Sequence, residues 1–120
     1  MELLINKNID IDGIVIYLSL YKLHKSFLLL ISDQKNMGIG SVTMASPPTI
    51  EGLKSTVASY RLFGVDKKLL STIIAEKASS VLKAPVLLLL FLKIKKKEEE
   101  LVKPLIDSLK EILNKLMDDL

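Results

Sequence analysis

Residues 84–93 read APVLLLLFLK, and whether this run is helix or strand decides the fold. Leucine favours helices in isolation. The bounds argue otherwise: Pro85 ends any preceding helix, a lysine cluster (Lys93, Lys95, Lys96, Lys97) closes the run, and what lies between is too short for an ordinary helix. A short run with no polar residue predicts a buried strand over Val86–Leu92, apolar on both faces.

Outward from that strand the pattern changes to helical spacing on each side. Upstream, Leu69, Leu70, Ile73, Ile74, Lys77, Ala78, Val81 and Leu82 recur at three and four, predicting an amphipathic helix over Lys67–Lys83. Asp66 stands where an N-cap belongs, Val65 and Leu70 have the spacing of a hydrophobic staple, and Lys83 suits the negative end of the helix dipole. Downstream, Leu101, Val102, Leu105, Ile106, Leu109, Ile112, Leu113, Leu116 and Met117 form a wide stripe. Pro104 costs that helix no hydrogen bond if it starts near Leu101, and kinks it if it starts at Lys97. The subset Val102, Leu105, Leu109, Ile112 and Leu116 has seam-like spacing, but the breadth of the stripe predicts packing on the chain's own sheet.

The first half reads as strands. Glu2–Ile11 is strand-like, and Asp12-Gly13 is a hairpin corner because such turns need positive φ. The return arm Gly13–His24 alternates, with Ile14, Ile16, Leu18 and Leu20 on one face and Val15, Tyr17, Ser19 and Tyr21 on the other. Ser26–Ser32 is a continuous apolar run, expected to be a central strand covered on both faces. Gly38-Ile39-Gly40-Ser41 matches neither G-x-x-x-x-G-K-[ST] nor G-x-G-x-x-G, and Val42, Thr43 and Met44 lead to Ser46-Pro47-Pro48 rather than into a helix. The expectation there is a hairpin corner whose glycines permit a bulge or a close backbone approach. After a loop over 47–53, Leu53–Phe63 predicts another strand, ended by Gly64.

The expected fold is therefore one α+β domain over residues 1–120. It has an antiparallel sheet of about six strands with two helices packed on it, in the order βββββαβα.

Composition narrows the chemistry. Of 120 residues, 49% are apolar and 26% charged, which fits a folded domain rather than a disordered chain. With no cysteine there is no thiolate nucleophile or Cys-type zinc site, and His24, the single histidine, builds no multi-His metal site. His24 reads as an exposed strand-end residue, Ser46 lacks the G-x-S-x-G elbow, and Asp33 and Glu76 are isolated carboxylates. No catalytic, cofactor-binding or metal residue is assigned, no cofactor or small-molecule substrate is expected, and the partner-binding residues are not specified. The longest apolar run falls short of the roughly 20 residues that span a bilayer, and no signal peptide is visible. A soluble, cytoplasmic protein is expected.

The net charge of +3 is bipolar: +1 over residues 1–62, +6 over 63–97 and −4 over 98–120. That distribution suits self-association or docking on an acidic partner, and every basic residue except Arg61 is lysine, where nucleic-acid readers favour arginine forks. A small basic nucleic-acid-binding module is the alternative, with Tyr17 and Tyr21 as stacking residues. Those tyrosines are instead expected to lie under the C-terminal helix. The run Lys95-Lys96-Lys97-Glu98-Glu99-Glu100 reads as a solvated strand-to-helix junction with carboxylates near a helix start.

The element order resembles the small proteasome assembly chaperones, members three and four of that set. The residues carrying the likeness are the Ser26–Ile31 strand, the Lys35-Asn36-Met37-Gly38 corner, the Ser55–Gly64 strand running into Leu62-Phe63-Gly64-Val65-Asp66, the helix after it and the Pro85-Val86-Leu87-Leu88 strand. The resemblance implies a non-enzymatic chaperone that dimerises and binds proteasome α-subunits while their ring assembles. In the eukaryotic family two different chains pair; for an archaeal-like relative facing a simpler α-ring the resemblance implies a homodimer. The ending Met117-Asp118-Asp119-Leu120 departs from the hydrophobic-Tyr-X tail of other proteasome-binding proteins, so tail insertion is not implied.

Overall fold

In a computed structural model, residues 1–47, 56–61 and 68–119 are described. Asp66, the Val65–Leu70 staple, the Leu62–Asp66 segment and the outer parts of the Leu53–Phe63 strand lie outside these residues. Along the chain come β1 (Glu2–Ile11), β2 (Ile14–Leu23), β3 (Ser26–Ser32), β4 (Ser41–Ser46), β5 (Thr56–Arg61), α1 (Lys68–Leu82), β6 (Val86–Phe91) and α2 (Glu98–Asp118). The strands form a single sheet in the order β1-β2-β3-β6-β4-β5.

Two expectations about this sheet are overturned. It is mixed rather than antiparallel, because β6 runs parallel to β3, from Phe27 against Val86 to Ser32 against Phe91, and antiparallel to β4. Nor is there a hairpin at Gly38 and Gly40: β3 and β4 do not pair, since β6 lies between them. Tight turns dictate that neighbours in sequence pair, but residues 33–40 are long enough to step over an intervening strand, about 9.6 Å at two strand spacings. The connection from β5 through α1 returns β6 to the sheet's centre, as a parallel pair requires.

The leucine run succeeds as a strand because every neighbour satisfies it. Phe27 N–H donates to the Pro85 carbonyl (3.0 Å) at one end of the parallel ladder, and Asp33 N–H to the Phe91 carbonyl (3.3 Å) at the other. Pro85 lies just outside β6 and removes no ladder donor. Gly40 supplies the close approach expected of it, since a Cβ there would run into the Leu90 carbonyl oxygen, while one on Gly38 would meet the Phe91 ring at 2.8 Å.

Both helices lie on one face. α1 covers β4, β5 and β6, and α2 lies beside α1 and reaches β1. Between them they bury Ile16, Leu18, Leu20, Leu29, Ile31, Leu88 and Leu90 against Leu70, Ile74, Leu105 and Leu109. Small residues let α1 approach β4 closely: Ala75, Ala78, Ser71 and Ser79 are buried on the helix, Thr43 and Ala45 on the strand, and the Ser41 and Ser71 hydroxyls meet at 2.8 Å. The broad α2 stripe faces this core through Leu101, Leu105, Leu109 and Leu113, with Val102, Ile112 and Leu116 flanking it.

Three backbone details refine the sequence expectations. Asp12 and Gly13 both have positive φ (52° and 84°), the signature of a two-residue type I′ hairpin. Lys83 does more than complement the dipole: it adopts φ 55°, and Ala84 N–H reaches back to the Ser79 carbonyl (3.4 Å), closing a Schellman cap where glycine is usual. α2 starts at Glu98 with Pro104 inside it, so the Glu100 carbonyl lacks an amide four residues on.

Gly40→Ala should destabilise the protein by about 2–4 kcal/mol, because the strained neighbour is backbone rather than a movable side chain. Lys83→Gly should stabilise it by about 0.5–1 kcal/mol by relieving the left-handed lysine. Urea denaturation midpoints at constant slope read both signs.

Candidate protein-binding surface

With the helices on one side, the other side of the sheet is open. Strand register assembles it in three rows. One runs Asn8, Tyr17, Ser32, Phe91; the next Asn6, Ser19, Leu30, Leu89, Val42; the third Leu3, Tyr21, Leu28, Leu87, Met44. None of these side chains is charged, and the rows converge on a leucine quartet, Leu28, Leu30, Leu87 and Leu89, at the centre. Asp10, two residues beyond Asn8 on β1, is occupied at the hairpin tip, where it accepts the Gly13 amide (2.9 Å).

This arrangement corrects two further expectations. β3 and β6 are apolar on both faces but covered on only one: Leu29, Ile31, Leu88 and Leu90 are buried while Leu28, Leu30, Leu87 and Leu89 stay partly exposed. Tyr17 and Tyr21 do not lie under α2. They share the open face because β2 turns Ile16, Leu18 and Leu20 toward the helices. At its edges the face exposes Met44 (52%) and Val15 (40%). Contiguous apolar surface of this kind marks an interaction site more often than scattered exposed leucines do.

At one end of the sheet the loop over 33–37 overhangs the open face. It encloses a cleft of about 130 Å³ lined by Asn6, Tyr17, Ser19, Leu30, Ser32, Gln34, Lys35 and Met37. The Ser32 hydroxyl accepts the Gln34 amide (2.9 Å), which turns the chain. Asp33 then acts as a clasp. Its carboxylate accepts the Lys93 amide (3.0 and 3.1 Å to its two oxygens) and the Ile94 amide (2.8 Å). These charge-assisted bonds tie the exit of β3 to the exit of β6.

The residues considered for catalysis are not brought together. His24 is exposed in the β2–β3 turn, Ser46 ends β4, Glu76 is exposed on α1, and Asp33 is engaged with backbone amides. Among the described residues no three His, Asp or Glu side chains cluster as a metal site. Nor, among them, does any buried side-chain nitrogen or oxygen lack a hydrogen-bond partner. Among the described residues no helix is long and apolar enough to cross a membrane. What the surface offers chemically is burial of neutral, largely apolar area.

No protein family matches the sequence, and no curated protein does. Chains of known structure do match. One belongs to the "Crystal Structure of a Novel Chaperone Complex for Yeast 20S Proteasome Assembly", and it aligns over 98% of this chain and 98% of its own, with a TM-score of 0.62 and 14% identity. The likeness is one of fold. It covers the mixed sheet and both helices, an α+β architecture end to end.

Sequence reasoning missed both the open face and the clasp. The first had a signal: two strands apolar on both sides and only two helices to cover them. The second had none, since Asp33 and Ile94 are distant in sequence.

Asp33→Ala should cost about 1–3 kcal/mol of stability by orphaning two amides. It should also speed hydrogen exchange at Lys93 and Ile94 before exchange elsewhere in β6 rises. Amide-resolved exchange checks both.

Proposed function

We propose that this protein is a non-enzymatic assembly chaperone that forms a homodimer and binds proteasome α-subunits during assembly of the α-ring in the cytoplasm. The observation that carries the reading is the sheet face with three uncharged rows, left uncovered by the described residues, in a fold similar to a subunit of a proteasome-assembly chaperone complex.

The face suits a second copy of itself. Six strands spaced about 4.8 Å apart, each contributing about six residues at roughly 3.3 Å, give a footprint of roughly 500–600 Å². Two facing copies bury roughly 1,000–1,200 Å², the lower bound for a stable interface. An isologous contact sets a surface against itself. A charged face would then oppose like charges; this one opposes leucine, tyrosine and amide groups. Sheet-on-sheet packing would cover the second faces of β3 and β6 and complete the burial their sequences call for.

The α-subunit as client comes from the likeness of fold, and the absence of converging polar groups among the described residues is consistent with a protein that works by contact. A nucleic-acid-binding module is the competing reading, favoured by the partial exposure of Tyr17 and Tyr21. The three rows carry no cation, however, and the cleft beside Tyr17 contributes only Lys35, where phosphate binding calls for several.

Light scattering after size exclusion should give twice the 13.4 kDa chain mass. The dimer should persist at about 1 M salt, because apolar burial is not screened. Met44→Glu, at a half-exposed position that folding tolerates, should weaken the dimer, and Leu30→Glu with Leu89→Glu should yield monomer. Co-expression with an archaeal α-subunit should give co-elution. A wild-type monomer at tens of micromolar overturns the dimer. Failure to co-elute overturns the client, and salt-sensitive RNA binding lost on Tyr17→Ala favours the competing reading.

A further inference from the structure

The segment between β6 and α2 is built as a presented row of charge. Along residues 93–97 burial alternates: Lys93, Lys95 and Lys97 are exposed, while Ile94 and Lys96 are partly buried between them. That is the alternation of an extended chain, and Lys97 has extended dihedrals (φ −67°, ψ 146°). The inward residues are fixed. Ile94 packs against the core, and Lys96 reaches Asp12 of the β1–β2 hairpin at 3.1 Å. The backbone is held by the Asp33 carboxylate at Lys93 and Ile94, and the Lys93 ammonium lies 5.6 Å from the centre of the Phe91 ring. Among the described residues, Lys95 and Lys97 have no ion-pair partner.

We propose that Lys93, Lys95 and Lys97 form a docking row for an extended acidic protein segment. Alternate residues of an extended chain repeat at about 6.6–6.8 Å. The three ammonium groups therefore match carboxylates at alternate positions of an extended peptide. The row is anchored at Asp33, Ile94 and Lys96, so ordering it costs little when the ligand arrives. Charge complementarity selects a short acidic protein segment over nucleic acid. The row is three charges long, contains no arginine fork, and runs directly into Glu98, Glu99 and Glu100, which repel a continuing polyanion. Lys95 and Lys97 lie beyond the three neutral rows, and Lys93, over the Phe91 ring, borders the first of them.

The test uses the full chain and fluorescent peptides of about twelve residues. One carries glutamate at alternate positions, and another has the same composition with the glutamates contiguous. Anisotropy should show tighter binding of the alternating peptide by at least about threefold, weakening about tenfold as ionic strength rises from about 0.05 M to about 0.3 M. Replacing the three lysines by alanine should weaken binding at least about tenfold, while Lys110→Ala, an exposed lysine on α2, leaves it unchanged. Asp33→Ala, folded by circular dichroism, should weaken it severalfold with every lysine retained. Met44→Glu should bind as wild type even where it is monomeric, which separates this row from the dimer. Equal binding of the two peptides, unchanged binding by the triple variant, or preferential binding of a single-stranded oligothymidine overturns the proposal.

Discussion

The insertion of β6 between β3 and β4 is the constraint on which the rest of the molecule depends. Without it the chain has two separate pieces, the meander β1-β2-β3 and the pair β4-β5, with no hydrogen bond between their strands. β6 supplies a parallel ladder to one and an antiparallel ladder to the other. It also places Leu88 and Leu90 under the helices and Leu87 and Leu89 on the far side. Gly40 against the Leu90 carbonyl and Asp33 on the Lys93 and Ile94 amides hold its end in register.

Locally determined features were legible in the sequence, and long-range ones were not. Asp12-Gly13 announces its hairpin because the turn needs nothing beyond its own dihedrals. The α2 stripe likewise shows its facing by periodicity. The partner of β6 is invisible because a run apolar on both sides pairs equally well with any apolar neighbour, so pattern does not distinguish parallel from antiparallel. Residues 33–40 looked like a hairpin for the same reason: two strands and a glycine-bearing loop are consistent with adjacency, yet the glycines are needed for a third strand passing beneath. The candidate surface was half legible. The twofold apolarity of β3 and β6 was plain, but which of their faces the two helices take depends on α1 packing its small residues on Ser41, Thr43 and Ala45.

Charge is sorted spatially in a way the linear sequence only hints at. The bipolar distribution along the chain becomes a neutral sheet face on one side, helices with mixed charge on the other, and a lysine row at the sheet's end. Neutral apolar area and exposed cations have different uses. The former gives salt-resistant contact, the latter salt-sensitive selectivity for acidic segments. A protein that associates through both has two separable handles on its partners.

The position of β6 also has a consequence for biosynthesis. A chain emerging from the ribosome exposes β1 to β5 before Phe91 leaves the exit tunnel, with all of α1 made in between. Until then the edges of β3 and β4 that pair with β6 have no native partner. The strand that joins β3 to β4 is therefore made after both of them, and the sheet is complete only when this late central segment arrives.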